Sequence, residues 1–136
     1  MFSVAATLYI EMKKSLKTRN LQTFSEGATI IKKMLKEGKL PCSGEEFLKT
    51  LASHSDSEGR NLLHEAALAA LDDEPRYFNT LLRLKFPLYG EDVNLDFAAF
   101  FICQARTDTI FTNCLGALAQ ARFDVNKEND DNETFL

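Results

Sequence analysis

The sequence predicts an all-α domain made of helix pairs stacked side by side. Apolar residues recur at helical spacing along most of the 136 residues, and no segment alternates apolar with polar residues as a sheet strand does. Short motifs also return along the chain, with Leu63, Ala99 and Leu136 at matching places 36 and 37 residues apart. Such an interval is typical of repeat architectures, in which each helix pair covers the apolar face of its neighbour.

Composition and charge exclude several function classes. The length fits one domain with its own core, and 45% hydrophobic with 26% charged residues is the content of an ordinary globular protein. A net charge of −4 argues against nucleic acid as a partner, because phosphate binding needs a positive field. The charge is uneven, since residues 1–50 have a net charge of +4 and residues 51–136 one of −8. The two oppositely charged segments either help to orient partners or are simply two solvated surfaces of different charge.

The cellular location is predicted from the cysteines and the apolar segments. Cys42, Cys103 and Cys114 form no CxxC spacing, which indicates buried free thiols in a reducing compartment. The apolar start of the chain lacks the basic segment of a signal peptide, and no apolar run approaches the roughly 20 residues that span a bilayer. We therefore expect a cytoplasmic protein without a transmembrane segment.

Two helices are predicted in the N-terminal part. Apolar residues recur every four residues from Val4 to Leu16 and predict a first helix over 2–17. A second helix is predicted over 21–37, because apolar residues and lysines lie on opposite sides of it and Gly38 ends it. Its apolar side contains Ile30, Ile31, Met34 and Leu35.

The remaining helices follow from caps and periodicity. Ser43 predicts the N-cap of a short helix within 43–55, and Glu46 three residues later predicts that the two form a capping box. Pro75 suits the first turn of a helix. Two further helix pairs are predicted, over 62–71 with 76–86 and over 96–105 with 108–121.

The most informative stretch spans 56–67 and reads DSEGRNLLHEAA. An aspartate and a glycine form a turn, a tetrapeptide ending in His64 begins a helix, and two alanines permit close packing. This stretch resembles the opening of an ankyrin repeat, in which the tetrapeptide is Thr-Pro-Leu-His. Asp92 and Asn129 begin similar openings, and residues 30–38 resemble the second helix of such a repeat.

The resemblance implies an ankyrin-like α-solenoid with an N-terminal helical cap. The implied units are a cap or degenerate repeat at 1–42, an inserted helix at 43–55, repeats at 56–91 and 92–128, and a further repeat or tail at 129–136. The opening at Asp92 is degenerate, because Leu95 replaces the turn glycine and residues 97–100 replace the tetrapeptide. We therefore expect that helix to begin without histidine hydrogen bonds. Because the chain stops where another first helix should begin, we also expect a longer array or a closing tail.

The resemblance also implies a function, that of a non-enzymatic module that binds another protein. Short arrays of this kind occur in eukaryotic regulators and in effectors of intracellular bacteria, which act in the host cytoplasm. Ankyrin repeats hold their partners with turn tips and the concave face of the first helices. The corresponding positions are Ser57, Glu58, Arg60, Leu68, Ala69, Val93, Asn94, Asp96, Gln104, Asp130, Asp131 and Glu133. Because these positions are mostly acidic, we expect a partner with a basic segment.

Two other functions stay open. The first is an adaptor that binds anionic lipid, although a solvated helix face explains the same lysines. They are Lys13, Lys17, Lys32, Lys36 and Lys39. The second is a hydrolase that uses His64 as a base together with Cys42 or an acidic residue, whereas the ankyrin resemblance implies that His64 hydrogen-bonds the neighbouring turn.

The sequence predicts neither a metal ion nor a cofactor. The residue types of a metal site are present in Cys42, His54, Asp56 and His64. No two of them have the spacing typical of zinc ligands, and no glycine-rich phosphate loop occurs.

Overall fold

All regular structure in the described part of the chain is helical. A computed structural model describes residues 2–38, 43–72 and 74–135. Within these ranges there are seven helices and no strand, and one antiparallel bridge joins Glu91 to Phe97. The all-α prediction is confirmed, and none of these helices has the length and apolarity needed to cross a bilayer. The helices are α1 (Phe2–Thr18), α2 (Leu21–Glu37), α3 (Gly44–Ser53), α4 (Leu62–Leu71), α5 (Arg76–Arg83), α6 (Ala98–Ile102) and α7 (Asp108–Gln120).

The bounds of α1, α2, α4 and α7 agree with the predicted bounds to within one residue. Helix α5 is shorter than the predicted 76–86. Lys85 adopts a left-handed conformation with a φ of 64°, and the N–H of Phe86 donates to the carbonyl of Leu81 at 3.3 Å. This backbone bond closes the helix end before the apolar periodicity stops.

Helix α6 has five residues, where the periodicity predicts 96–105. Phe97 has an extended backbone, with φ −70° and ψ 150°, and pairs with Glu91 instead of entering the helix. At the other end, the N–H of Gln104 donates to the carbonyl of Phe101 at 3.0 Å, a tight turn that ends the α-helical bonding. The prediction of a long helix here is wrong.

The helices pack in two rows. Helices α1, α4 and α6 contact one another in sequence to form the first row, and α2, α5 and α7 form the second. Across the rows, α1 packs on α2, α4 on α5 and α6 on α7, while α3 packs against α1. Every helix therefore covers apolar surface of a neighbour, as a helix with one apolar stripe requires.

Small residues line the centre of the first row. The predicted close-approach alanines of α4 and α6 are all buried; they are Ala66, Ala67, Ala98 and Ala99. Leucines of both rows are buried beside them, namely Leu63, Leu81, Leu82 and Leu118. Two residues assigned to apolar faces are exposed, namely Val4 and Ile30, and two others, Met34 and Leu35, are half-buried. In α2 the core position belongs to Ile31 instead.

The predicted N-cap of α3 is present. Ser43 Oγ accepts a hydrogen bond from the N–H of Glu46 at 3.1 Å, and Asn20 caps α2 in the same way through the N–H of Thr23. The side chains of Phe47 and Leu51 are fully buried. Helix α3 is therefore an integral part of the packed structure and not a loose insertion.

Overpacking in the first row should destabilise the fold. Ala67 is fully buried, so we expect Ala67→Leu to lower the free energy of unfolding by about 1–3 kcal/mol. The matched control is Ala119→Leu in α7, where the side chain is exposed and the expected change is within about 0.5 kcal/mol. Urea denaturation of both variants checks this, and equal effects would contradict the packing described.

Candidate functional site

The first candidate element is a five-residue turn closed by an aspartate. Asp56 Oδ1 accepts the N–H of Glu58 at 2.9 Å and that of Arg60 at 3.0 Å. The N–H of Asp56 donates to the carbonyl of Arg60, and Gly59 takes a φ of 73°. Burial acts to raise the pKa of Asp56, but the backbone N–H donors of Arg60 and Glu58 hold it below its ordinary value. A short acceptor side chain and a glycine are the residues that such a turn requires.

The same turn recurs at Asp92. Its Oδ1 accepts the N–H of Asn94 at 2.9 Å and that of Asp96 at 3.0 Å, and its N–H donates to the carbonyl of Asp96 at 3.2 Å. Leu95 takes the left-handed conformation with a φ of 63°. The turn therefore forms despite the missing glycine, and a non-glycine residue carries the strain.

A third copy of the turn begins at Asn129. Here Oδ1 accepts the N–H of Asp131 at 3.0 Å and that of Glu133 at 2.8 Å. The N–H of Asn129 donates to the carbonyl of Glu133, and Asn132 has a φ of 61°. The three turns thus begin at the three positions that the sequence singles out.

Successive turns are bonded to one another. The N–H of Val93 donates to the carbonyl of Glu58 at 2.9 Å, which joins the first turn to the second. The second and third turns are joined by Asn129 Nδ2, which donates to the carbonyl of Leu95 at 2.5 Å. A Cβ atom on Gly59 would lie 3.0 Å from the nitrogen of Val93. The backbones therefore approach closely as well as bond.

His64 adds a further hydrogen bond to the junction between the first and second turns. Its Nε2 lies 2.9 Å from the carbonyl oxygen of Asp96 and must donate, because a carbonyl only accepts. Its Nδ1 accepts the N–H of Asn61 at 3.2 Å, and Asn61 Oδ1 accepts the N–H of His64 in return. The imidazole therefore bridges the start of its own helix to the next turn.

The surroundings of His64 favour this structural role over catalysis. The side chain is 0% exposed, and burial lowers its pKa, against an opposing effect of the Asp96 carbonyl and of Asp92. Both ring nitrogens are occupied, so neither is free to take a proton from a substrate. Cys42, the proposed nucleophile of the hydrolase alternative, lies outside the described residues.

The start of α6 lacks a histidine, as the sequence predicts. Phe97 is the N-cap residue and makes no side-chain capping bond. Its ring packs against Phe100 with centroids 5.0 Å apart and against Tyr89 at 5.4 Å. Aromatic contacts here replace the polar bracing seen at Asn61.

Most of the predicted partner-binding positions are exposed. Those exposed are Ser57, Glu58, Val93, Asn94, Gln104, Asp130, Asp131 and Glu133, and those half-buried are Arg60, Leu68 and Asp96. Ala69 is 1% exposed, so its assignment to a partner surface is wrong: it packs inside the first row. We call the residues at the tips of the three turns the turn strip. They are Ser57, Glu58, Val93, Asn94, Asp130 and Asp131.

Acidic groups crowd beside the turn strip. Burial, and then the charge of Asp130, raise the pKa of Glu91. Burial, and then the charges of Asp92 and Glu133, raise the pKa of Asp96. Glu91 Oε1 and Asp92 Oδ2 are buried without a hydrogen-bond partner among the described residues. Sequence reasoning missed Glu91, whose only signal is its place directly before the second turn.

Arg60 is held by two contacts within the chain. Its Nη1 pairs with Glu58 Oε2 at 2.8 Å, and its guanidinium lies over the ring of Phe101 at 5.6 Å from the centroid. The arginine therefore anchors the first turn to the start of the next helix pair.

The other candidate residues do not gather into a site. No group of three or more His, Cys, Asp or Glu in the described ranges is placed to hold a metal ion. Burial raises the pKa of Cys114 to about 11, as expected of a buried thiol, whereas Cys103 is exposed and contradicts that expectation. Lys17, Lys32 and Lys36 are exposed, Lys13 is half-buried beside Tyr9, and Lys39 lies outside the described residues.

Comparison of the chain with protein-family models, with curated proteins and with solved structures found no match in any of the three. The ankyrin resemblance therefore stays a prediction.

The lowered pKa of His64 can be tested directly. We expect its imidazole to titrate below the usual value of about 6.5, as followed by NMR with His54→Gln to assign the two histidines. Since the unfolded chain binds the proton more readily, the stabilisation by His64 is lost as the pH falls below the unfolded-state pKa. The difference in unfolding free energy between wild type and His64→Asn should thus narrow from pH 7.5 to pH 5. A transition of His64 at or above its ordinary pKa would refute this.

The close approach of the first two turns predicts opposite effects for two glycines. Gly59→Ala should cost about 1–3 kcal/mol, because φ is positive and the new Cβ would press on the second turn. Gly116→Ala should instead gain about 0.5–1 kcal/mol, because it lies within α7 and its Cβ would meet nothing within 4 Å. Urea denaturation measures both, and a neutral Gly59→Ala would show that the turns are further apart.

Proposed function

We propose that this chain is a non-enzymatic protein-interaction module of the ankyrin-repeat type. The observation that carries the proposal is one turn formed three times, at Asp56, Asp92 and Asn129, with each copy bonded to the next. The hydrogen bond from His64 to the following turn, and the two rows of helices, support the same assignment. Repeats of this kind present their turns in a line to a partner.

The partner we propose is a basic segment of another protein, bound along the turn strip. The exposed carboxylates of Asp130 and Asp131, together with that of Glu58, which pairs with Arg60, favour a cationic ligand. Burial, and then the neighbouring carboxylates, raise the pKa values of Glu91 and Asp96, so the ionised form of each is unfavourable. A lysine or arginine of the partner would offset the repulsion between these carboxylates. Part of the binding free energy would therefore come from relieving a repulsion that is already present in the free protein.

Rigidity adds to this argument. The turn tips are fixed by Asx bonds and by bonds between turns, so little backbone entropy is lost when a partner binds. The strip holds one exposed apolar side chain of note, Val93, which is 62% exposed. We therefore propose recognition by charge and backbone shape, with a single apolar contact near the second turn.

The experiment is a selection of displayed random 12-residue peptides against the protein. We expect Lys- and Arg-rich peptides to be enriched and to lose about tenfold or more in affinity with Glu58→Lys/Asp130→Lys. The matched control is Glu11→Lys/Glu26→Lys, which makes the same change in net charge at exposed helical positions outside the strip. Equal loss in both variants would mean that only the overall charge matters, and no basic enrichment would overturn the proposal.

The pH dependence of peptide binding gives an independent check. Because the pKa values of Glu91 and Asp96 are raised, these groups take up protons sooner than ordinary carboxylates as the pH falls. We expect affinity for the selected peptides to weaken as the pH falls from 7 to 5, and to weaken less in a Glu91→Gln variant, as measured by fluorescence anisotropy. The same pH dependence in Glu91→Gln would contradict the role of the crowded acids.

The alternative function, an adaptor that binds anionic lipid, is tested in parallel. Flotation with phosphatidylserine vesicles should show no salt-sensitive binding if the turn strip is the functional surface. Vesicle binding that is abolished by Lys32→Glu/Lys36→Glu would favour the lipid adaptor.

A further inference from the structure

A groove runs between α5 and α7, on the second row of helices. Its volume is about 1300 Å³, and the segment that follows α5 forms one wall of it. This is larger than most small-molecule pockets, which span roughly 300–1,000 Å³. The groove is lined by α3, α5, α7 and the segments that follow α5 and α7, and none of the turn-strip residues lines it.

The floor and walls of the groove are fixed in place. Asn79 Nδ2 donates to Asn113 Oδ1 at 2.7 Å and links α5 to α7. Tyr89 forms part of the wall, where its hydroxyl accepts the N–H of Asp124 at 2.9 Å. The apolar lining consists of Pro87, Leu88 and Ala117, which are half-buried, and of Leu82 and Phe86, which are buried.

One position of α7 leaves the groove open. Gly116 lines the groove, and a Cβ placed on it would meet no atom within 4 Å. A glycine in the middle of a helix costs stability relative to alanine. No packing requirement explains this glycine, whereas an occupant that approaches the helix backbone would.

The mouth of the groove is positively charged. Arg83, Lys85 and Arg122 line it and are exposed, and none of them forms an ion pair with another described residue. The remaining two charged lining residues, Lys49 and Glu45, pair with each other at 3.4 Å. The groove therefore has a local positive charge, although the protein as a whole has a net charge of −4. Such a positive field attracts anions to this part of the surface.

We propose that the groove between α5 and α7 binds an acidic segment of a partner protein that carries at least one aliphatic or aromatic side chain. The unpaired cations of the mouth attract its carboxylates, and the apolar floor beside Gly116 receives its apolar side chain. Cations are favourable at helix C-termini, but such a position does not by itself explain these three cations. At the end of α1, Arg19 bonds the carbonyl of Leu16 and pairs with Asp72, whereas the mouth cations have no such partners within residues 2–38, 43–72 and 74–135.

The test is a second selection, with displayed 12-residue peptides rich in Asp and Glu and with random positions between them. We expect enriched peptides with aromatic or aliphatic residues at fixed spacing. In the ¹⁵N spectrum of the wild-type protein, the amides of Arg83, Gly116 and Arg122 should shift when such a peptide is added. Arg83→Glu/Arg122→Glu should weaken binding by about tenfold or more, and Gly116→Trp should weaken it by filling the groove.

Two controls make the outcome decisive. Gly116→Ala adds only one methyl group at the same site and should weaken binding less than Gly116→Trp does, and Glu58→Lys/Asp130→Lys should retain binding because the turn strip lies elsewhere. Thermal denaturation confirms that Gly116→Trp is folded. The proposal is overturned if no acidic peptide is enriched, or if the mouth variant binds equally well. It is also overturned if a 12-nucleotide single-stranded DNA binds the mouth more tightly than the peptides do, or if the shifted amides lie outside the groove.

Discussion

The hydrogen bond between a buried, neutral histidine and a backbone carbonyl of the next turn governs the arrangement of this protein. On one side His64 accepts a hydrogen bond from the N–H of Asn61, at the start of its own helix, and on the other it donates one to the carbonyl of Asp96. Because the ring is rigid and both of its nitrogens are used, the distance between the two turns is set by the ring itself. Burial keeps the imidazole uncharged, so the bond requires no buried counter-charge.

Helix packing and turn spacing depend on each other. With the turns held at this separation, α4 and α6 must lie close, which is possible because alanines face the contact. The same separation leaves no room for a Cβ at Gly59. A larger residue at either place would therefore disturb both the row of helices and the line of turns.

The parts of the fold that depend on local chemistry were predictable from the sequence. Asp56 with Gly59 marks a turn whichever protein contains it, and Ser43 caps a helix for the same reason. The parts that depend on neighbours were not. Leu95 enters the left-handed region because the turn is held by bonds on both sides of it, and nothing about a leucine indicates this.

The ankyrin resemblance placed Ala69 on the partner surface, although the contact of α4 with its neighbours buries that position. Periodicity extended α6 beyond Ile102, because a helical pattern does not reveal where tight backbone bonding begins. Glu91 and the groove beside Gly116 become visible only when distant segments are brought together.

Charge is distributed by surface and not by the halves of the chain. The C-terminal half has the net negative charge, yet Arg83, Lys85 and Arg122 belong to it and make one groove positive. The turn strip and the groove thus carry local charges of opposite sign.

The most direct test of this account is to detect the bonds between turns in solution. NMR couplings transmitted across hydrogen bonds should connect the amide nitrogen of Val93 with the carbonyl carbon of Glu58. They should also connect Nε2 of His64 with the carbonyl carbon of Asp96. We expect both correlations in a sample whose helical hydrogen bonds are also detected. Clear helical correlations without either of these two would contradict the interlocked turns and the strip built on them.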